Sequence, residues 1–218
     1  PDFSTLSRRQ QTLNVQIPYT RSQAGLHLLV DSTGIKFLGE GEWKCKKHGA
    51  EYRRQWRKLH IGIDAKTLQI RAICVTSNNV SDATVIPDLL DQLPQDENLE
   101  SLTGDGAYDT KQVYESVIEH GATPIIPPRK NARIRKGKAF AHRNEAIAAC
   151  KSLGRGIWKA WSGYHRRSLV ETKMNCIKKL GERVMARGFE SQVNELHIRA
   201  AILNRFTELG RPQTAAVA

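Results

Sequence analysis

Cysteine is scarce in this chain and poorly placed for pairing. The four, Cys45, Cys74, Cys150 and Cys176, lie far apart, and no CxxC pair occurs. That argues against a zinc site and a disulfide framework, and makes free thiols in a reducing compartment the default. Long apolar runs are missing too: no stretch approaches the roughly 20 residues that cross a bilayer, and no charged-then-apolar leader opens the chain. A soluble, cytoplasmic protein without a membrane partner is expected. Internal repeats and low-complexity tracts are also absent, which leaves 218 residues for one substantial core with a small appendage. The chain opens at Pro1 rather than Met, and Pro1 to Pro18 is polar and weakly periodic. An N-terminally truncated reading frame is expected from this.

Acidic residues are what one segment has least of. Between Pro127 and Arg183 there are 16 Lys or Arg against three Asp or Glu, a local balance of +13, whereas the whole chain carries +12. One stretch therefore holds the entire excess. Such a concentration is the footprint of a nucleic-acid partner, whose phosphates it neutralises with release of counterions. An anionic membrane is the competing partner, but no strongly apolar helical face accompanies these charges. A smaller basic cluster, Lys44, Lys46, Lys47, Arg53, Arg54, Arg57 and Lys58, is interleaved with Trp43, Tyr52 and Trp56. Those aromatic rings are of a kind that stacks on bases.

Periodicity supplies the organisation. Leu26 to Asp31 reads as a short buried strand with Asp31 at its C-terminal end, and Ser32-Thr-Gly34 reads as a turn. Arg57 to Asp64 and Leu68 to Thr76 alternate and form an antiparallel hairpin. A helix follows over Thr84 to Leu93, then a strand from Leu99 to Thr103 with Asp105 just beyond it. Next come a helix from Thr110 to His120 closed by Gly121 and a strand from Thr123 to Ile126. The basic segment from Arg129 to Gly163 contains a helix at Asn144 to Leu153. Two more helices follow, one containing Tyr164 to Lys178 and one over Glu190 to Leu209. Three strands in a meander followed by alternating helices and strands match an α/β fold, a ribonuclease-H-like mixed five-stranded sheet flanked by helices. Residues 26–209 form that domain, 1–25 an N-terminal linker or remnant, and 210–218 a flexible tail.

At helical pitch of about 100° per residue, Tyr164, Arg167, Glu171 and Lys178 share roughly a quarter-turn, with Asn175 among them. Leu169, Val170, Ile177, Leu180 and Val184 form the opposing apolar arc, broken only by Lys173. A charged stripe of this kind is most simply a solvated face. Asp31 and Asp105, at two strand ends, change its meaning. The three carboxylates lie 74 and 66 residues apart, yet one sheet topology brings them together. Hard oxygen ligands of this type suit a pair of magnesium ions about 3.5 to 4 Å apart, one activating a nucleophile and one stabilising a leaving oxygen. Each aspartate alone is also compatible with an ordinary turn. His48 and His165, beside the basic clusters, are assigned no catalytic part.

The spacing Tyr164-x2-Arg167-x3-Glu171-x6-Lys178 resembles the Tyr-Arg-Glu-Lys signature of bacterial insertion-sequence transposases of the DDE class. Val-Asp31-Ser-Thr-Gly, Gly-Asp105-Gly-Ala-Tyr-Asp and Ile-Pro-Pro-Arg-Lys-Asn131 resemble segments of the insertion-sequence-five group. The resemblance runs over about residues 1 to 208. It implies that Asp31, Asp105 and Glu171 are the catalytic, metal-binding triad, holding two Mg²⁺ ions for which Mn²⁺ substitutes. It also implies that Tyr164, Arg167 and Lys178 contact DNA, and the basic clusters add Arg129, Lys130, Arg53 and Arg54 as expected DNA-binding residues. The partners are double-stranded DNA, both terminal inverted repeats and target, and a second copy in a homodimer on the bacterial nucleoid. The reaction the resemblance implies is attack of water on the phosphodiester at the element's end, followed by attack of the freed 3′-OH on target DNA. Two alternatives stay open: a catalytically silent DNA-binding remnant, and a ribonuclease-H-like nuclease acting on hybrids or junctions.

Overall fold

The structure is a computed structural model that describes residues 2–22, 24–37 and 56–210. Alternating apolar residues in the first third of the chain build an antiparallel meander of β1 (Leu26–Phe37), β2 (Trp56–Asp64) and β3 (Ile70–Ser77). The first helix of the chain, α1, spans Phe3–Thr12 and precedes the meander, and a 3-10 turn at Asp82–Val85 follows it. Then follow α2 (Ile86–Leu90), β4 (Leu99–Thr103), α3 (Lys111–Glu119) and β5 (Thr123–Ile125). The remainder is α4 (Ala141–Ser152), α5 (Arg155–Trp161), α6 (Ser168–Lys179), β6 (Arg183–Val184) and α7 (Phe189–Leu209).

The strand order is β3-β2-β1-β4-β5, with β4 and β5 parallel and β6 pairing with the far end of β1. This is the mixed α/β sheet of a ribonuclease-H-like fold, with a two-residue sixth strand added to the expected five. Because side chains alternate along a strand, β1 feeds two cores. Leu26, Leu28 and Val30 pack with α2 and α3, while Leu29 and Ile35 pack with α6 and α7. Central side chains such as Ile61, which is fully buried, each contribute about 1.5–3 kcal/mol. An Ile61→Ala cavity would cost about 2–5 kcal/mol.

Several expectations are corrected. β1 does not stop at Asp31; it continues through Ser32-Thr-Gly34 because β2 pairs with it as far as Lys36↔Trp56, and those ladder bonds override local turn preference. On its other edge, β4 accompanies β1 only to Leu29↔Thr103, and β6 takes over at Lys36↔Arg183. Tyr164 to Arg167 forms a 3-10 turn rather than the start of an α-helix. Gly163 precedes it at φ 70, a left-handed conformation that glycine adopts without strain. The opening segment, read as weakly periodic, contains a helix whose N-cap Asp2 accepts from the Thr5 amide at 2.7 Å. That segment is tied down: Thr20 N donates to Gln69 at 2.7 Å, Asn204 donates to Pro18 O at 2.9 Å, and Arg71 stacks 4.0 Å from the Tyr19 ring.

Candidate active site

Three elements bring the candidate residues to the stretch of β1 between β4 and β6, whose edge away from β2 pairs with no strand among the described residues. Asp31 projects from the middle of β1, and its Oδ1 accepts from the Ser32 amide at 2.8 Å. Asp105 follows β4 and caps the short turn Gly106–Tyr108, accepting from Ala107 N at 2.7 Å. Glu171 stands in the first turn of α6. Arg167 joins two of the three: Nη1 donates to Asp31 Oδ2 at 2.7 Å, and Nη2 donates to Glu171 Oε1. One guanidinium thus spans carboxylates from a central strand and a helix near the other end of the chain.

The local field is negative. Burial raises the Asp31 carboxyl above its usual range; Ser32 N–H and Arg167 oppose this, and the nearby Asp105 charge reinforces it. Burial works against the Arg167 charge, yet Asp31, Tyr164 and Glu171 hold its pKa above the ordinary value. Burial likewise raises the Tyr164 phenol, with Arg167 pulling it down and Asp105 pushing it up. The Tyr164 ring lies 5.7 Å from that of Trp158, with Lys159 Nζ 5.5 Å from its centroid. Tyr108 lies beneath the Asp105 turn, against Gly104, where a Cβ would approach the ring to 2.8 Å. Its hydroxyl is buried and without a hydrogen-bond partner among the described residues. Burial, then the charges of Asp82, Asp31 and Asp105, push that phenol far up.

Behind Asp31, on the other face of the sheet, Lys58 Nζ donates to Asp82 Oδ1 at 2.9 Å and to Val80 O at 2.8 Å. His60 faces the same carboxylate, with Nδ1 3.6 Å from Asp82 Oδ1 and Nε2 2.9 Å from Thr76 Oγ1. Burial lowers the His60 imidazole to about 4, with Asp82 opposing.

The remaining candidates are dispersed. Lys178 occupies the last turn of α6, two turns beyond Glu171, and Arg129 and Lys130 lie exposed after β5. None of these three side chains forms an ion pair with another described residue. Arg53 and Arg54, with Trp43, Tyr52 and the lysines around them, fall outside the described residues. Arg57 and Lys58, read as part of that DNA-facing cluster, are engaged internally instead. Arg57 lies 4.8 Å from the Phe37 and Phe189 ring centroids and donates to Gln192 Oε1 at 2.8 Å.

Sequence reasoning missed one cluster beside the site. Asp109 accepts from Arg143 Nε at 2.6 Å, from Tyr114 OH at 3.2 Å and from the Arg129 amide at 3.3 Å. It thereby anchors the start of the basic segment. Its position, four residues after Asp105 in Asp-Gly-Ala-Tyr-Asp, was the available signal.

The donor chemistry fits a cation in type and charge, since Asp31 and Glu171 already close on one. Asp105 is near enough for its charge to be felt at Asp31. It is not drawn around the same point, and among the described residues no group of three His, Cys, Asp or Glu side chains is gathered to hold an ion. Among the described residues, too, no helix is long and apolar enough to cross a membrane.

Two family models match the chain. A transposase DDE domain model matches residues 22–205, a span that includes every side chain of the carboxylate cluster, and a second transposase DDE domain model matches residues 1–40. The chain belongs to the transposase DDE domain family.

Proposed function

We propose that this chain is the catalytic part of an insertion-sequence transposase of the insertion-sequence-five group, cleaving DNA at element ends and joining them to target DNA. Residues 26–209 would be the catalytic domain, and Asp31, Asp105 and Glu171 the ligands of a Mg²⁺ pair, with Mn²⁺ as substitute. The observation that carries this reading is the cluster at β1: Asp31 and Glu171, distant in sequence, meet at one cationic group, with the Asp105 charge beside them.

Bound metal would supply an activated oxygen nucleophile and charge stabilisation at the leaving oxygen. The protein's own groups do the rest. Asp31, on a strand held by neighbours, fixes one wall of the site, and Glu171 approaches from α6. Arg167 and Lys178 neutralise phosphates on either side of the scissile one, and Tyr164 stacks or hydrogen-bonds at the distorted end. Arg129 and Lys130, together with Arg53 and Arg54, extend the phosphate track. In the first step water attacks phosphorus and the 3′-oxygen leaves as a 3′-OH. In the second, that 3′-OH attacks a target phosphodiester and displaces its 3′-oxygen, so the number of phosphodiester bonds is conserved. A homodimer would hold two ends.

The test is nicking of duplex DNA carrying the terminal repeat, with Mg²⁺ or Mn²⁺. Asp31→Asn, Asp105→Asn and Glu171→Gln should each lower the rate by at least about 100-fold, beyond what loss of a supporting contact costs a metal site, while DNA affinity survives. Nicking at the parental rate by all three variants would refute the assignment. A catalytically silent DNA-binding protein is the second reading, favoured by the absence, among the described residues, of a gathered three-carboxylate group. Binding without cleavage in either metal would establish it.

A further inference from the structure

We infer that Arg167 is the resting counterion of the carboxylate site, seated between Asp31 and Glu171 where a divalent cation would bind, and that DNA phosphate draws it away. This rests on the reading that those two carboxylates take the ion.

The geometry is that of a shared cation rather than a simple ion pair. Separate terminal nitrogens of one guanidinium serve the two carboxylates, Nη1 on Asp31 and Nη2 on Glu171. Without it, two carboxylates would face each other with Asp105 close by, a like-charge arrangement that is repulsive. Among the described residues no other side-chain cation contacts Asp31 or Glu171. The Arg167 and Asp31 side chains are 19% and 16% exposed, while Glu171 is 53% exposed. The bridge is therefore anchored on the Asp31 side and open on the Glu171 side, where a competing ion or phosphate has access.

A guanidinium and a divalent ion repel each other, so they cannot occupy the space between the same two carboxylates together. Arg167 has somewhere to go. It sits at the end of a 3-10 turn that enters from Gly163, and its planar fork matches phosphate as well as carboxylate. DNA that engages the fork frees Asp31 and Glu171. By linkage, DNA then tightens ion binding and the ion tightens DNA binding by the same factor. The free protein holds ions weakly, which limits cleavage to the DNA-bound state.

Titrating Mn²⁺ into the full chain by calorimetry tests this without relying on activity. Arg167→Ala and Arg167→Gln, the second retaining polarity and much of the side-chain length, should bind Mn²⁺ about tenfold more tightly than the parent, within the usual range of coupling between sites. A duplex oligonucleotide should raise the parent's Mn²⁺ affinity and leave that of the variants nearly unchanged. Variants that bind Mn²⁺ no more tightly than the parent overturn the exchange. Asp31→Asn separates the two levels: lost Mn²⁺ binding upholds the ion site, whereas unchanged binding overturns the ion site and the exchange with it. Circular dichroism and thermal unfolding of each variant identify a folding defect; with one Arg167 variant misfolded, the other decides.

Discussion

Arg143 and Arg167 each close on an aspartate, but one cluster is complete in itself and the other is not. Arg143 and Asp109 have side chains 6% and 1% exposed. Their polar atoms are matched by each other, by Tyr114, by the Arg129 amide and by the Arg133 carbonyl. Arg167 divides itself between two carboxylates, leaves Asp105 without an ion pair among the described residues, and opens to solvent at Glu171. A closed cluster of the first kind holds a loop in place. An open one of the second kind can exchange its partner, which suits a site that must accept a polyanion. The same residue pair thus serves architecture in one place and chemistry in the other, and the difference lies in burial and in the acceptors: one carboxylate and a carbonyl for Arg143, two carboxylates for Arg167.

The largest expected effect tests that division directly. Arg143→Ala leaves a buried carboxylate uncompensated and should cost about 3–5 kcal/mol in urea unfolding, whereas Arg167→Ala, in a cluster that opens to solvent at Glu171, should cost less. Equal losses would erase the distinction. The cluster behind Asp31 offers an intermediate case, because His60 is buried and its Nδ1 lacks a hydrogen-bond partner among the described residues. Its pKa is lowered from 6.5 to about 4, so its contribution is intact above pH 6.5 and is lost as pH falls toward 4, up to about 3 kcal/mol. Unfolding of the parent and of His60→Gln across that range should show a shallower pH slope in the variant; parallel slopes would remove His60 from the account. The smallest effect concerns the solvated basic surface. Lys130→Ala should weaken DNA binding similarly for all sequences and reduce the slope of log affinity against log salt by about 1. An unchanged slope would place Lys130 off the phosphate track.

The sequence made the sheet order legible because alternation and turn residues are local signals. The length of β1 was not legible: Ser32-Thr-Gly34 carries turn chemistry, and only the distant β2 makes it strand. β6 escaped for the same reason, since two residues have no period to read. At the site, helical spacing placed Arg167 with Glu171, four residues apart, and the structure adds Asp31 to that pair. Spacing could not show that Tyr164 to Arg167 is a 3-10 turn, because the first turn of an α-helix and a 3-10 turn have similar sequences. Nor could charge counting tell which cations are available to DNA. Arg143, Arg155 and Arg166 lie in the basic segment, yet they donate to Asp109 and to the carbonyls of Pro128 and Ala65. Lys173 broke the apolar arc in sequence; in the fold it reaches Thr207 Oγ1 at 3.0 Å, so a residue out of pattern marked a contact between two helices.

On the edge away from β2, residues 30–35 of β1, between the ends of β4 and β6, pair with no strand among the described residues. A bare strand edge invites another chain to add itself by backbone pairing, the usual route to aggregation. Here the interval is short, Val30 and Ile35 within it are buried, it carries an aspartate, and the Tyr164–Arg167 turn lies against it. The charge at Asp31 therefore also guards the sheet against its own neighbours.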